Sequence, residues 1–156
     1  MRIVQIGVGK MSIYTIRYIY EKGGEVIGAF DINPNLIGKD IGEICNIEKK
    51  NIYVEDINNL SLRLKELKPD IAIVMTMSLL TDVYDTLLTC AECGINVITT
   101  CEEAFDPYNS NPSLTKKLDE VAKQNNCTIT GSGYQDIYWG NLISSIASST
   151  QKIIKI

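Results

Sequence analysis

Arg2-Ile3-Val4-Gln5-Ile6-Gly7-Val8-Gly9-Lys10-Met11-Ser12 runs from an Ile- and Val-rich stretch into two glycines one residue apart. Residues 2–7 predict a buried strand. Residues 10–22, with Ile13, Ile16 and Tyr20 along one face, predict a helix that stops at Gly23-Gly24. A strand that passes into a helix through Gly-x-Gly-x-x-Ser presents backbone N–H groups at the positive end of the helix dipole. Gly7 permits the tight turn, and Gly9 lets a ligand approach the backbone. Ser12 replaces a third glycine and is still small enough for close helix–strand packing. Gly7, Val8, Gly9, Lys10, Met11 and Ser12 are therefore the candidate phosphate-binding loop.

The alternation continues along the chain. Strands are expected at residues 25–31, 52–54, 71–75, 95–99, 127–130 and 152–156. Helices are expected over 36–46 (short and irregular), around Leu60, Leu64 and Leu67, over 82–94, after Asn111-Pro112 and over 136–148. Asn111 suits a helix N-cap with Pro112 at the first helical position, and Gly94 suits the residue after a helix end. Near-continuous apolar strands between amphipathic helices imply an α/β fold, a Rossmann-type doubly wound parallel sheet with helices on both faces. Residues 1–150 form one NAD(P)-binding domain in this reading. Residues 151–156 are expected to be the first strand or linker of a following substrate and dimerisation domain.

An acidic residue belongs at the end of the second strand, about 20 residues past the glycine loop, and Asp31 stands there. Its carboxylate can accept hydrogen bonds from ribose hydroxyls and would repel a 2′-phosphate. No arginine follows closely, which favours NAD, with NADP as the lesser possibility. Three further loops fall at strand ends, where open α/β sheets bind ligands. Thr76, Met77 and Ser78 are expected near the nicotinamide ribose. Cys101 opens the next loop, in which Glu102 and Glu103 could face a cationic substrate or the nicotinamide amide. Gly131-Ser132-Gly133-Tyr134-Gln135-Asp136 combines two glycines with polar groups beside a ligand. For Glu102 and Glu103 the alternative is a solvated loop start, for Tyr134 packing, and for Asp136 a helix cap.

The formal net charge of −4 argues against nucleic acid or an anionic membrane as partner. No apolar run reaches spanning length, and the start is too soon interrupted for a signal peptide, so a cytoplasmic setting is expected. The absence of histidine excludes a Ser-His-Asp triad, a Cys-His pair and an H-E-x-x-H metal helix from this chain. Five cysteines, an odd count, argue against a disulfide framework. Cys90-Ala91-Glu92-Cys93 sits late in a helix with no second pair, so neither a redox pair nor a metal site is expected there.

With these residues assembled, the chain resembles the amino-terminal part of the 2,4-diaminopentanoate dehydrogenases. That group is built like dihydrodipicolinate reductase and diaminopimelate dehydrogenase. The most specific stretches are Asn96-Val97-Ile98-Thr99-Thr100-Cys101-Glu102-Glu103 and residues 131–141, with Gly38-Lys39-Asp40-Ile41-Gly42-Glu43 in support. The resemblance implies oxidative deamination of a 2,4-diamino acid at its C4 amine, with hydride passing to NAD(P)+. It also implies a place in ornithine fermentation, a homodimer at full length, and a carboxyl-terminal domain that this chain lacks. Glu102, Tyr134 and Asp136 are the candidate catalytic residues, matched to the substrate's ammonium groups. The alternatives are a dihydrodipicolinate reductase-like oxidoreductase and a dinucleotide-sensing module without catalysis. Sugar-type oxidoreductases typically carry Glu-Lys-Pro where this chain has Cys101-Glu102-Glu103, so their catalytic lysine is absent. The reductases favour a Gly-Thr-Thr-Gly-like turn where it has Thr99-Thr100-Cys101-Glu102.

Overall fold

The computed structural model describes residues 1–154, with residues 134–136 described by their backbone only. Six strands form one sheet in the order β3-β2-β1-β4-β5-β6. They are β1 (Arg2–Ile6), β2 (Glu25–Asp31), β3 (Val54–Asp56), β4 (Ile71–Val74), β5 (Asn96–Thr99) and β6 (Ile129–Gly131). Every pairing is parallel. The strand order reverses at β1, which lies between β2 and β4, so a crevice opens at their carboxyl ends. Ile6 is level with Phe30 of β2 and Val74 of β4, which brings the three loop starts to one height.

Side chains of β1 alternate between two cores, as the period of a strand requires. Val4 and Ile6 pack with α3 (Leu60–Leu67), α4 (Leu80–Glu92) and α5 (Pro112–Gln124). Ile3 packs on the opposite face with α1 (Ser12–Glu21) and α2 (Ile41–Ile44). The doubly wound α/β reading therefore holds. Leu87 of α4 is fully buried, so trimming it to alanine costs about 2–5 kcal/mol. A wide helical turn, Tyr134–Trp139, leads into α6 (Gly140–Ser148).

Several boundaries differ from expectation for identifiable reasons. The helix expected from Lys10 starts at Ser12, whose N–H and hydroxyl both bond to the Gly9 carbonyl. The strand expected at 52–54 lies at 54–56, because Tyr53 forms an isolated antiparallel bridge with Asp40. α4 begins at Leu80 rather than Asp82, since the Glu103 carboxylate accepts the Leu80 N–H. Asn111 precedes α5 but does not cap it with its side chain, which donates to Glu103 instead. The strand expected at 127–130 occupies 129–131, with the Cys127 N–H bonded to Ala122. Residues 152–154 are not strand, because they pair with no other strand among the described residues; Lys155 and Ile156 lie outside those residues.

Candidate functional site

The β1–α1 loop is built from below. The Gly7 backbone has φ +85°, and a Cβ there would lie 2.3 Å from the Met75 carbonyl oxygen. Only glycine satisfies both constraints. Buried Gln5 donates from Nε2 to the Gly7 carbonyl at 2.9 Å, and Ser12 Oγ donates to the Gly9 carbonyl at 2.7 Å. The carbonyls of both loop glycines are thus tied to the protein. The amides of Gly9, Lys10 and Met11 take no hydrogen bond among the described residues. A Cβ at Gly9 would meet nothing within 4 Å. The loop offers three free donors and an unobstructed approach at the amino end of α1.

Asp31 ends β2 beside this loop. One carboxylate oxygen accepts the Val8 N–H at 2.7 Å and the other accepts the Asn33 N–H at 2.8 Å. Each oxygen keeps acceptor capacity for a further donor. A cleft of about 340 Å³ contains Gly7, Gly9, Asp31, Thr76 and Met77 in its lining, together with Asp82 and Thr86 of α4. Five of the residues singled out in the sequence therefore share one space. The Val8 side chain is buried against α1 and Ser12 is buried under the loop, while Lys10 and Met11 are exposed. Ser78 and Cys101 lie outside the cleft lining. The buried Cys101 thiol donates to the Ser78 carbonyl at 3.1 Å, joining the β4 and β5 loops. Burial pushes this thiol's pKa up.

The paired glutamates have separate surroundings. Glu102 is exposed. Glu103 is half-buried, and one of its oxygens accepts the Leu80 N–H at 2.7 Å and the Asn111 amide at 3.0 Å. It acts as the cap that α4 lacks locally. Gly131 brings the next loop against this turn: a Cβ there would lie 2.5 Å from Ala104 and Phe105 backbone atoms. The Glu102 turn and the start of the 131–136 loop therefore meet at the carboxyl ends of β5 and β6. The side chains of Tyr134, Gln135 and Asp136 lie outside the described residues. Among the described residues, no group of His, Cys, Asp and Glu is arranged to hold a metal ion, and no helix is long and apolar enough to cross a membrane.

Sequence reasoning missed Gln5, Asp82, Thr86 and the linkage of Asn111 to Glu103. Gln5 was visible as the one uncharged polar residue inside an apolar strand. Asp82 and Thr86 were visible as polar positions four apart on a helix that follows a ligand-facing loop.

The loop and Asp31 together fit a dinucleotide, with amides toward a pyrophosphate and a carboxylate toward the adjoining sugar. No family model matches the sequence. The chain is 31% identical over 137 residues to 2,4-diaminopentanoate dehydrogenase of Acetoanaerobium sticklandii, covering 85% of this chain and 38% of that protein. The amine dehydrogenase from Mycobacterium smegmatis aligns with a TM-score of 0.88 at 33% identity, over 98% of this chain and 45% of that one. This chain is a Rossmann domain similar to part of each of these dehydrogenases. The domain is also 33% identical over 91 residues to 4-hydroxy-tetrahydrodipicolinate reductase of Methanosarcina barkeri, covering 58% of this chain and 33% of that protein. It spans less than half the length of these three relatives. More distant structures share its fold. The WlbA dehydrogenase from Thermus thermophilus, in complex with NAD and alpha-ketoglutarate, has a TM-score of 0.70 at 14% identity, over 96% of this chain and 47% of that one. RSP in complex with NAD+ and operator DNA has a TM-score of 0.63 at 18% identity, over 96% of this chain and 62% of that one.

Proposed function

We propose that this chain binds NAD(H) and forms the cofactor-binding part of an amino-acid dehydrogenase. The reaction in this reading is oxidative deamination of 2,4-diaminopentanoate to 2-amino-4-oxopentanoate and ammonia. The observation that carries the cofactor reading is the set of three unpartnered amides at residues 9–11, beginning at Gly9, which lines the same cleft as Asp31. The substrate reading is supported by the likeness to an amine dehydrogenase and to 2,4-diaminopentanoate dehydrogenase.

Gly9, Lys10 and Met11 hold the pyrophosphate through backbone N–H groups, and Asp31 accepts from the adenosine ribose. The carboxylate disfavours a 2′-phosphate, so NAD is preferred over NADP. Bound NAD+ supplies a hydride acceptor. Glu102, Tyr134 and Asp136 complement the substrate's ammonium groups, and one of them, or a group of a further domain, takes the proton from the reacting amine. That further domain also supplies the rest of the substrate site and a homodimer interface, and the enzyme works in the cytoplasm.

Calorimetric titration with NAD+, NADH, NADP+ and NADPH tests the cofactor reading. Binding of NAD(H) that Asp31→Ala weakens is the expected result. Heat signals from none of the four would refute it. A reductase of 4-hydroxy-tetrahydrodipicolinate is the second reading, favoured by the 33% identity over 91 residues. Substrate profiling of a full-length parent separates the two.

A further inference from the structure

Residues 137–151 carry no charged side chain, and no residue of α6 is buried. Trp139, Leu142, Ile143 and Ile146 stand at i, i+3, i+4 and i+7, so they share one helix face. All four are exposed, Ile143 by 53% and Ile146 by 59%. The main packing of α6 is against the Tyr134–Trp139 turn that precedes it. A helix of nine residues is marginal in water by itself, and an uncovered apolar face marks an interaction surface.

A groove of matching character opens between α5, β6 and the turn after β5, with a volume of about 400 Å³. It shares no lining residue with the cleft that holds Asp31. Leu118, Ala122 and Ile129 contribute apolar lining, and Phe105 and Tyr108 in the same lining are 53% and 68% exposed. Its charged lining residues, Asp119 and Lys123, pair with each other at 2.7 Å. The Tyr134–Trp139 turn touches the Glu102–Phe105 turn, so α6 starts near this groove, yet no residue of α6 lines it.

We propose that α6 of one copy lies in the α5–β6 groove of a second copy, and the reverse, as a two-fold dimer. An amphipathic helix enters an apolar groove through anchors at the spacing seen here. A charge-free face suits a groove whose charges cancel, whereas an acidic or basic partner would leave its own charge unanswered. Both surfaces belong to the same chain, so a two-fold axis makes each contact twice. Four large apolar side chains at about 100 Å² each, with the groove walls they cover, bury roughly 800 Å² per helix and roughly 1,600 Å² for the pair, the standard size of a stable interface. This surface is separate from the interface assigned above to a further domain, and it does not rest on the cofactor reading.

Sedimentation velocity of the 156-residue chain, from about 1 µM to about 200 µM, tests the proposal. A reversible species of twice 17.4 kDa is expected. Ile146→Glu places a carboxylate in the apolar contact and should weaken association roughly 30-fold or more. Phe105→Glu should do the same from the groove side. Both side chains are exposed in the single chain, so a cooperative melt of the sheet should persist in each variant. Ser144→Glu, on the opposite face of α6, should associate like wild type. A wild-type chain that stays monomeric overturns the proposal, including the case in which its own α6 fills the groove. Dissociation by Ile146→Glu but not by Phe105→Glu also overturns it, because α6 is then paired elsewhere.

Discussion

Replacing Gly9 with alanine separates ligand binding from folding. A Cβ at this position meets no atom within 4 Å, and the backbone φ is not in the left-handed region. The substitution should therefore leave the fold intact, and the loss of unfolded-chain freedom adds about 0.4–1 kcal/mol of stability. The open space that spares the fold is where a pyrophosphate must approach the amides of residues 9–11. Each amide–phosphate hydrogen bond is worth about 1.5–3 kcal/mol. A methyl group that holds the phosphate away forfeits the equivalent of one such bond, about 1.5–3 kcal/mol, or roughly a 10- to 150-fold loss of affinity. Gly7→Ala is the contrasting variant, because its Cβ would lie 2.3 Å from the Met75 carbonyl oxygen at φ +85°. It should lower Tm outright. Paired calorimetric and thermal-melt measurements give the comparison. Wild-type NAD+ affinity in Gly9→Ala would refute the pyrophosphate assignment, and a large fall in its Tm would refute the reading of open space.

Glu103→Ala removes the acceptor of the Leu80 N–H and the Asn111 amide, and should cost about 1–2 kcal/mol, visible as a lower urea midpoint. A neutral result would show that α4 needs no cap from the β5 loop. Asp40 is buried, which raises its pKa, yet backbone N–H groups of Lys50, Gly42, Asn51 and Glu43 converge on it and bring the net shift below the usual carboxylate range. Its contribution is therefore present above the unfolded value near pH 4 and fades as pH falls through the lower folded value. Asp40→Asn should be less stable than wild type at pH 7, with the gap closing toward about pH 3. An equal gap at both pH values counts against this linkage. The Cys90 thiol is pushed up to about 12, by burial and then by the neighbouring Cys93 and Cys127. It should resist iodoacetamide at pH 8 in the native protein and react after unfolding, as mass spectrometry of the labelled peptides will report.

The sheet was legible because its strands are short apolar runs bounded by Gly, Pro and Asn, and tertiary packing left those periods intact. Elements were misplaced where a distant partner sets the boundary. Nothing local marks Leu80 as the start of α4, since its cap comes from Glu103, 23 residues later. The same distance hid the fact that Glu102 and Glu103 face different surroundings. That the glycine loop and Asp31 adjoin could be read from spacing alone, because backbone and strand ends set their positions. Asp82 and Thr86 could not, because helical periodicity gives a face but not the cleft beneath it.

The bond between Val8 and Asp31 has a kinetic consequence. With Gln5 bracing the same turn from inside the sheet, the loop proposed to hold the diphosphate is shaped before any ligand arrives. Capture then requires diffusion and orientation but no ordering of the chain. Stopped-flow traces should show a single phase whose observed rate climbs linearly with dinucleotide concentration and never levels off at an isomerisation limit.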